Sequence, residues 1–475
     1  MKKSFLALVL VFALCLSVFA FTGCRRNKIA NADLSGGYDG SEVTITFYHT
    51  MSATNLQPEL EKAIARFNVL YPNIKIEHKQ VGDYDAVRNQ IKTELTVGGQ
   101  PNIAYCYPDH VALYNVAKAV VPLDELIDSQ VEVTRADGTT EIMGLTEAQK
   151  NNFIEGFYEE GRAYGDGKMY TLPFSKSTEV LYYNKTFFEA NNLKVPTTWD
   201  EMAEVCAFIK EKHPNATPLG YDSEANWFIT MCEQYGSPYT SASADNGSHY
   251  LFDNETNWAF VEKFAKWYAD GWVTTKELSG SKYTSDAFKK ADGEIGKSYM
   301  SIGSSAGATH QAPDAVNGEY PFEVGIAPIP QVDASNPKAI SQGPSVCIFQ
   351  QENEQEVYAS WLFVKFLTTD VEFQASFSEA SGYVPVLKNV NDDPYYKEFI
   401  EGASGYKTGI AAYSAKVCLE QANAYYVSPA FNGSSKARDE VGLLMQVCFS
   451  NYESATNKLA MIKEKFDAAI EECEY

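Results

Sequence analysis

The sequence predicts an α/β protein built from two lobes. Apolar runs are typical of strands at 43–48, 74–80 and 103–107, and apolar residues recur at helical spacing over 56–70 and 86–97 between them. Strands that alternate with helices form a parallel sheet with right-handed crossovers, and ligands bind at the carboxyl ends of its strands. The length of 475 residues exceeds the roughly 250–300 residues at which a single core stops growing, so a second lobe is expected.

The first residues of the chain predict export. Lys2 and Lys3 give a positive start, residues 5–21 are almost entirely apolar, and a small-residue exit follows at once. This order is typical of a secretory signal peptide over residues 1–23, which is too short for a stable membrane span. An uncleaved anchor helix is the alternative. No later run approaches the ~18 apolar residues of a membrane helix.

Cys24 follows this leader and ends a Gly-Cys pair that resembles the lipobox of bacterial lipoproteins, with Phe21 where that pattern prefers Leu. The resemblance implies that Cys24 is diacylated and becomes the mature N-terminus. Two acyl chains, at ~0.8 kcal/mol per buried CH₂, are enough for durable anchoring. Residues 24–41 are small and polar, which predicts a flexible tether to the body of the protein. We therefore expect a lipid-anchored protein on the extracellular face of the cytoplasmic membrane.

Composition excludes several classes of partner. The formal net charge of −23 argues against nucleic acid and anionic lipid head groups. Of the nine cysteines, Cys15 lies in the leader and Cys24 follows it, and the others are scattered without a C-x-x-C pair. This pattern predicts neither a disulfide framework nor a zinc site. The six histidines show no metal-ligand spacing. We therefore expect no metal and no cofactor.

A serine motif at 303–307 matches G-x-S-x-G, with Ser305 in the position of a nucleophile. Such a nucleophile needs an acid and then a histidine later in the chain. Only His310 follows, with no acid between the two residues, so the motif predicts no hydrolase. Carboxylate pairs are plentiful in this acidic chain and leave a glycosidase open as an alternative.

Aromatic residues indicate a carbohydrate ligand. The chain holds 30 Tyr, 27 Phe and 6 Trp, and Tyr84, Tyr107, Trp227 and Tyr383 fall at predicted strand ends or in loops. Sugar rings present apolar C–H faces and a rim of hydroxyls, so aromatic plates with Asp, Asn, Ser and Lys nearby suit them. Any one of these aromatics is equally typical of a hydrophobic core. Their joint placement carries the prediction.

Several blocks of sequence also carry a family resemblance. The most specific block is YTLPFSKSTEVLYYNKTFFEANNLKVPTTWDEM. The others, in chain order, are VTITFYHTM, GDYDAVRNQI, GGQPNIAYCYPDH, FKKADGEIGKSYMSIGSS, SQGPSVCIF and SGYVPVLKN. From residue 43 to about residue 470, the chain resembles the family 1 extracellular solute-binding proteins of ABC importers.

The resemblance implies a type II periplasmic-binding-protein-like fold, in which two mainly parallel sheets flanked by helices are joined by a three-segment hinge. It implies crossings near Pro173, near 327–328 and near Thr368. The implied parts of lobe 1 are 42–172 and 329–367, and those of lobe 2 are 173–328 and 368–475.

The resemblance also implies the ligand contacts. With Trp227 added as a stacking platform, they are Tyr84, Asp109, Lys176, Trp227, Ser304, Ser305, Gly343, Tyr383 and Asn432. Asn432 stands where a phosphate-binding relative has an Arg, unless Arg438 is re-registered to that position. Losing this bidentate cation disfavours a phosphorylated ligand. Lys176 stands where the family has a ligand-contacting serine, so an acidic ligand remains an alternative.

These expectations define a monomeric receptor that captures a mono- or oligosaccharide and delivers it, chemically unchanged, to the transmembrane subunits of an ABC permease. Three alternatives remain open at this stage. They are a secreted carbohydrate-active enzyme, a receptor for a phosphorylated or acidic small solute such as glycerol-3-phosphate, and a sensory subunit. Glycan products would indicate the enzyme, and an adjacent sensor kinase gene would indicate the sensory role.

The variant Cys24→Ser tests the lipid anchor. Because serine lacks the thiol that is acylated, the variant should appear in the medium or remain unprocessed, while the wild-type protein stays in the membrane fraction. Cell fractionation followed by immunoblotting measures this. Cys15→Ser, within the apolar stretch, is the matched control and should stay with the membrane. A Cys24→Ser protein that is processed like the wild type and still stays in the membrane fraction contradicts lipidation.

Overall fold

A computed structural model of the protein describes residues 34–244 and 247–474. The predicted signal peptide and Cys24 lie outside the described residues. Within them, no helix is both long and apolar enough to cross a bilayer. Two five-stranded sheets flanked by helices form the framework. The predicted α/β fold with two lobes is confirmed.

The regular elements alternate along the described chain. The strands are β1 Val43–His49, β2 Ile74–Gln80, β3 Ile103–Cys106, β4 Glu132–Thr134, β5 Thr140–Ile142, β6 Leu172–Pro173, β7 Glu179–Asn184, β8 Leu219–Tyr221, β9 Val273–Thr275, β10 Met300–Ser304, β11 Val324–Pro328, β12 Ala339–Ile340, β13 Ser345–Ile348 and β14 Tyr425–Tyr426. The helices are α1 Gln57–Leu70, α2 Tyr84–Glu94, α3 Pro108–Asn115, α4 Asp124–Asp128, α5 Glu147–Asn152, α6 Glu155–Glu159, α7 Lys185–Ala190, α8 Trp199–Lys212, α9 Glu224–Tyr235, α10 Glu255–Ala269, α11 Lys276–Ser279, α12 Ser285–Phe288, α13 Ala308–Gln311, α14 Glu354–Thr369, α15 Val371–Ser381, α16 Pro394–Glu401, α17 Ile410–Glu420, α18 Ser434–Tyr452 and α19 Lys458–Glu474.

The first sheet belongs to lobe 1 and has the strand order β2-β1-β3-β13-β6. Strand β1 pairs in parallel with β2 and β3, as the strand–helix alternation predicts. Strand β13 returns to this sheet from much later in the chain and runs antiparallel to β3 and β6. The loops after β1 and β3 therefore leave the same edge of the sheet, which is where ligand-binding residues are expected.

The second sheet belongs to lobe 2 and has the order β11-β7-β10-β8-β9. Strands β10, β8 and β9 are parallel, whereas β7 runs antiparallel to β10 and β11. Each sheet has its own hydrophobic core. Phe47 and Trp361 are buried in the core of lobe 1, and Trp199 and Phe264 are buried in the core of lobe 2.

Three segments carry the chain between the lobes. Residues 174–178 connect β6 to β7 directly after Pro173, residues 341–344 connect β12 to β13, and residues 402–409 connect α16 to α17. Each of them links an element that packs in one core to an element that packs in the other.

The predicted positions of two of the crossings are wrong. The crossing near 327–328 is displaced because Ile329 and Ala339 still pack in the core of lobe 2. The crossing near Thr368 is displaced because Phe373 and Tyr396, on α15 and α16, bury themselves in the core of lobe 1. The apolar faces of these elements decide which lobe they join.

The expected tether is also shorter than predicted, because residues 34–41 lie against lobe 1. Leu34 and Tyr38 are buried there. The Gln355 side chain donates to the carbonyl of Gly37 at 3.3 Å and accepts from the backbone N–H of Asp39 at 2.9 Å. Gly37 allows this contact, since a Cβ atom there would lie 2.7 Å from Val131. Apolar packing and hydrogen bonds thus hold a stretch whose composition predicts flexibility.

A buried ion pair joins the crossings to lobe 1. Lys176, on the first crossing, donates through Nζ to the Glu160 carboxylate, and the two side chains are 0% and 2% exposed. The same ammonium donates to the Ser345 hydroxyl at 3.0 Å and to the carbonyl of Gly343 at 3.2 Å. Glu160 in turn accepts from the Ser341 hydroxyl at 3.1 Å. One charge pair therefore holds the first two crossings together.

Gly343 is required at its position in this arrangement. Its φ of +91° lies in the left-handed region, and a Cβ atom would lie 2.5 Å from the carbonyl oxygen of Ser175. Only glycine accepts both that backbone conformation and that contact without strain. Gly343 therefore allows the two crossings to approach closely enough for Lys176 to reach its partners.

Replacing Lys176 by Met tests the ion pair. The change leaves the Glu160 carboxylate buried without its cation, which should lower the free energy of unfolding by about 3–5 kcal/mol. The double variant Lys176→Met/Glu160→Gln should recover most of this loss, because no charge is left unpaired. Urea unfolding measures both values. Lys62→Met, which removes an exposed ion pair with Glu59, is the control and should change stability by less than about 1 kcal/mol. Equal effects of Lys176→Met and Lys62→Met contradict the role assigned to the buried pair.

Candidate functional site

A cavity of about 390 Å³ lies between the two lobes. Lobe 1 contributes residues within 83–88 and 107–110, which begin α2 and α3 after strands β2 and β3. Residues 340–342, at the end of β12 and the start of the second crossing, also line it, and lobe 2 contributes residues within 427–439 around the start of α18. We call this cavity the cleft. It lies at the strand ends where the fold places ligands.

Tyrosine rings form the wall of the cleft on lobe 1. The rings of Tyr84 and Tyr107 lie 4.8 Å apart, and Tyr84 stacks on Tyr105 at 6.4 Å. The hydroxyl of Tyr84 is 3.3 Å from that of Tyr383, which supports it from behind. Burial raises the pKa of Tyr84, Tyr107 and Tyr383. These phenols therefore stay protonated and are able to donate hydrogen bonds.

Asp109 supplies an acceptor beside these rings. It lies in the first turn of α3, and its carboxylate accepts a hydrogen bond from the Ser435 hydroxyl on the opposite lobe. Burial alone would raise the pKa of this carboxyl, but His110, Ser435 and Arg438 outweigh burial and hold the pKa below its usual value. Asp109 is therefore ionised and spans the mouth of the cleft.

Arg438 forms part of the wall on lobe 2. Its guanidinium donates to Oδ1 of Asn226, and Nδ2 of Asn226 donates to the carboxylate of Glu179 at 2.7 Å. Arg88, on lobe 1, lies 3.2 Å from the Asp85 carboxylate. Both cations of the cleft therefore have polar partners already.

Carboxylates outnumber cations among the residues that line the cleft. The acids are Asp83, Asp85, Asp109 and Asp439, whereas the two cations are Arg88 and Arg438. His110 adds no charge at neutral pH, because burial lowers its pKa. The electrostatics of the cleft are therefore mildly unfavourable to an anion.

Two buried polar groups in the cleft have no partner among the described residues. They are the hydroxyl of Tyr239 on lobe 2 and Nδ1 of His110 on lobe 1. A buried polar group without a hydrogen bond costs about 1–3 kcal/mol, so such groups normally meet a ligand or water. Both unsatisfied groups belong to residues of the cleft lining, which favours a polar ligand or water nearby.

Of the predicted contacts, Tyr84 and Asp109 line the cleft, and Tyr383 contacts Tyr84 through its hydroxyl without lining the cleft. Trp227 does not line it. Its ring is fully buried in the core of lobe 2, stacked on Tyr221 at 4.7 Å and on Trp199 at 6.1 Å. The expectation of a stacking platform at Trp227 is wrong, because α9 turns this side chain towards its own core.

The remaining predicted contacts do not line the cleft. Lys176 and Gly343 belong to the crossings described above. Ser305 is fully buried, and its Oγ accepts from the backbone N–H of Thr178 at 3.1 Å, while Ser304 caps the turn that follows β10. Asn432 is exposed and outside the cleft lining. Lys176, Gly343 and both serines therefore serve the fold rather than the cleft surface.

Three residues of the lobe 2 wall were not predicted as contacts from the sequence. Ser435, Arg438 and Tyr239 line the cleft but were not among the expected contacts, apart from the alternative register for Arg438. Residues 434–452 form one helix, so Ser435 and Arg438 lie about one turn apart on the same face. That spacing is the signal that favours Arg438 over Asn432.

The sequence of this chain matches a known protein family. Residues 62–401 match the model of the family described as bacterial extracellular solute-binding protein. This match spans more than half of the 475 residues. The chain therefore belongs to this family of solute-binding proteins.

Individual relatives refine the comparison. The chain is 25% identical over 379 residues, covering 77% of this chain and 79% of the relative, to the sn-glycerol-3-phosphate-binding periplasmic protein UgpB of Escherichia coli K12. The sugar-binding protein MalE from Xanthomonas citri superposes with a TM-score of 0.70 at 16% identity, covering 91% of this chain and 98% of that one. UgpB from Mycobacterium tuberculosis, in complex with glycerophosphocholine, gives a TM-score of 0.67 at 16% identity over 91% and 99% of the chains. The two structures share the fold of this protein.

Proposed function

We propose that this protein captures a neutral mono- or oligosaccharide in the cleft and delivers it to the permease of an ABC importer. The observation that carries the proposal is the opposition of the Tyr84 and Tyr107 rings on lobe 1 to Ser435 and Tyr239 on lobe 2, with Asp109 between them. Aromatic rings on one side and hydrogen-bonding groups on the other match the apolar faces and hydroxyl rim of a sugar.

Each group has a role in this proposal. The Tyr84 and Tyr107 rings pack on a sugar face, Asp109 accepts from two sugar hydroxyls, and the free Tyr239 hydroxyl donates to a third. A charge-assisted hydrogen bond to Asp109 is worth about 1.5–3 kcal/mol. Together such contacts reach the roughly −8 kcal/mol of a micromolar complex.

Delivery depends on lobe closure. The Ser435 hydroxyl on lobe 2 reaches Asp109 on lobe 1, so a ligand that bridges these two groups favours the closed arrangement of the lobes. A permease that contacts both lobes is then able to distinguish loaded from empty receptor. In this proposal the receptor is a monomer, acts outside the cell, and is held at the membrane by a lipid on Cys24.

A second candidate ligand is a small phosphorylated solute. The presence of Arg438 and Arg88 in the cleft favours it, and so does the similarity to the glycerol-3-phosphate-binding protein of Escherichia coli. Although Asn432 stands where a phosphate-binding relative has an Arg, Arg438 lines the cleft and supplies an arginine to the site. The four carboxylates of the cleft favour the neutral sugar, so we rank the phosphorylated solute second.

A ligand screen tests the proposal. Neutral mono-, di- and trisaccharides should raise the melting temperature of the purified protein, while glycerol-3-phosphate and uronic acids should raise it less. Differential scanning fluorimetry followed by calorimetry measures the binding, and chromatography should recover the bound glycan unchanged. Tighter binding of the phosphorylated or acidic ligands would support the second candidate. Release of glycan products would identify a carbohydrate-active enzyme and contradict the receptor.

Asp109→Ala and Tyr383→Ala test the site. Asp109→Ala removes the carboxylate acceptor, and Tyr383→Ala removes the hydroxyl that supports Tyr84. Each should weaken the binding of the best sugar from the screen at least tenfold, which corresponds to about 1.4 kcal/mol, with the fold intact by circular dichroism. Tyr395→Ala, at a tyrosine that is 52% exposed on α16, is the matched control. Wild-type affinity in both site variants would remove the cleft as the binding site.

A further inference from the structure

Behind the lobe 2 wall of the cleft, three side chains form a row of hydrogen bonds. Arg438 donates to Oδ1 of Asn226, and Nδ2 of Asn226 donates to Glu179 at 2.7 Å. Only Arg438 lines the cleft. Asn226 and Glu179 are 3% and 1% exposed, so neither contacts the cleft directly.

Both inner residues of the row are held in place. Asn226 lies in the first turn of α9, where its backbone N–H donates to the Ser223 hydroxyl at 3.2 Å. Glu179 begins β7, next to the first crossing, and also accepts from the Tyr221 hydroxyl at 2.6 Å. An ionised carboxylate accepts hydrogen bonds only, so it must face the NH₂ group of the Asn226 amide. The amide oxygen is then turned towards Arg438.

We propose that Glu179 and Asn226 are positioning residues that hold the Arg438 guanidinium in the wall of the cleft and thereby set ligand affinity without touching the ligand. This inference rests on the proposed function, in which the cleft binds an oxygen-rich solute. Buried polar groups whose hydrogen bonds are all made fix a single arrangement of side chains.

The charge of Glu179 makes the row sensitive to pH. Burial raises the pKa of Glu179 to about 7, against the opposing effects of Tyr221, Asn226 and Arg438 and with a further increase from Asp222. Tyr426, whose own pKa burial raises well above 10, is neutral beside it. A protonated Glu179 carries a donor of its own and no longer fixes the amide orientation of Asn226. The hold on the Arg438 guanidinium is then weaker, and ligand affinity should fall as pH decreases through about 7.

The buried carboxylate of Glu179 lowers the stability of the folded protein at high pH. The pKa of Glu179 in the folded protein, about 7, lies above the ordinary value of 4.5. The folded state thus binds the proton more tightly, and stability decreases as pH rises from 4.5 through 7. Removing this charge should stabilise the fold while it weakens binding. A residue with a merely structural role would lose stability and binding together.

Glu179→Gln separates these two effects, with Glu224→Gln as the matched control. Glu224 is another buried acid of lobe 2, is 3% exposed, and has a pKa that burial raises. At pH 8 both variants should melt at a higher temperature than the wild type. Only Glu179→Gln should weaken binding, by about fivefold or more, and lose the pH dependence of affinity between pH 6 and pH 8. The probes are maltotriose and sn-glycerol-3-phosphate, and calorimetry gives the affinity. Wild-type affinity and pH profile in Glu179→Gln, or a lower melting temperature at pH 8, would overturn the inference.

Failure of the proposed function is distinguishable from failure of this inference. If neither probe binds the wild-type protein, the proposed function is in doubt, and the rate of Arg438 modification by phenylglyoxal decides the positioning role. Mass spectrometry of the peptide that contains Arg438 should show faster modification in Glu179→Gln and Asn226→Ala than in the wild type and Glu224→Gln. Equal rates in all four proteins would show that Glu179 and Asn226 do not hold the guanidinium.

Discussion

The buried contact between Lys176 and Glu160 is the constraint on which the rest of the structure depends. It lies where the chain leaves lobe 1, and it gathers two crossings around one ammonium group through Ser345 and the carbonyl of Gly343. A buried pair of this kind is expensive to desolvate and is strongly unfavourable to break. The first two crossings are therefore held together where they meet lobe 1.

This contact explains how the cleft is built. Strand β3 leads directly into Tyr107 and Asp109, and its partner β13 begins at Ser345, beside the ion pair. The aromatic wall of lobe 1 is thus fixed by the same sheet that anchors the hinge. Lobe 2 brings Ser435 and Arg438 on one helix. The hydrogen bond between Ser435 and Asp109 joins the two walls of the cleft.

The sequence predicts the framework and two residues of the lobe 1 wall, for physical reasons. Strand–helix alternation predicts the sheet of lobe 1, and the strand ends place Tyr84 and Asp109 at the cleft. The sequence does not predict where Trp227, Lys176 and the third crossing lie, because the position of each depends on contacts with distant segments. Trp227 is buried by its contacts with the core of lobe 2, and Lys176 is paired with Glu160. Helices α15 and α16 pack their apolar faces on the core of lobe 1. The partners in these contacts are distant in sequence.

A crystal structure of the protein with a bound neutral oligosaccharide tests the central claim most directly. That structure should show a sugar ring packed on Tyr84 and Tyr107, with sugar hydroxyls on Asp109 and the Tyr239 hydroxyl, and with the contact between Lys176 and Glu160 unchanged. A ligand bound outside the cleft, or a closed complex in which Lys176 has left Glu160 to contact the ligand, would contradict it.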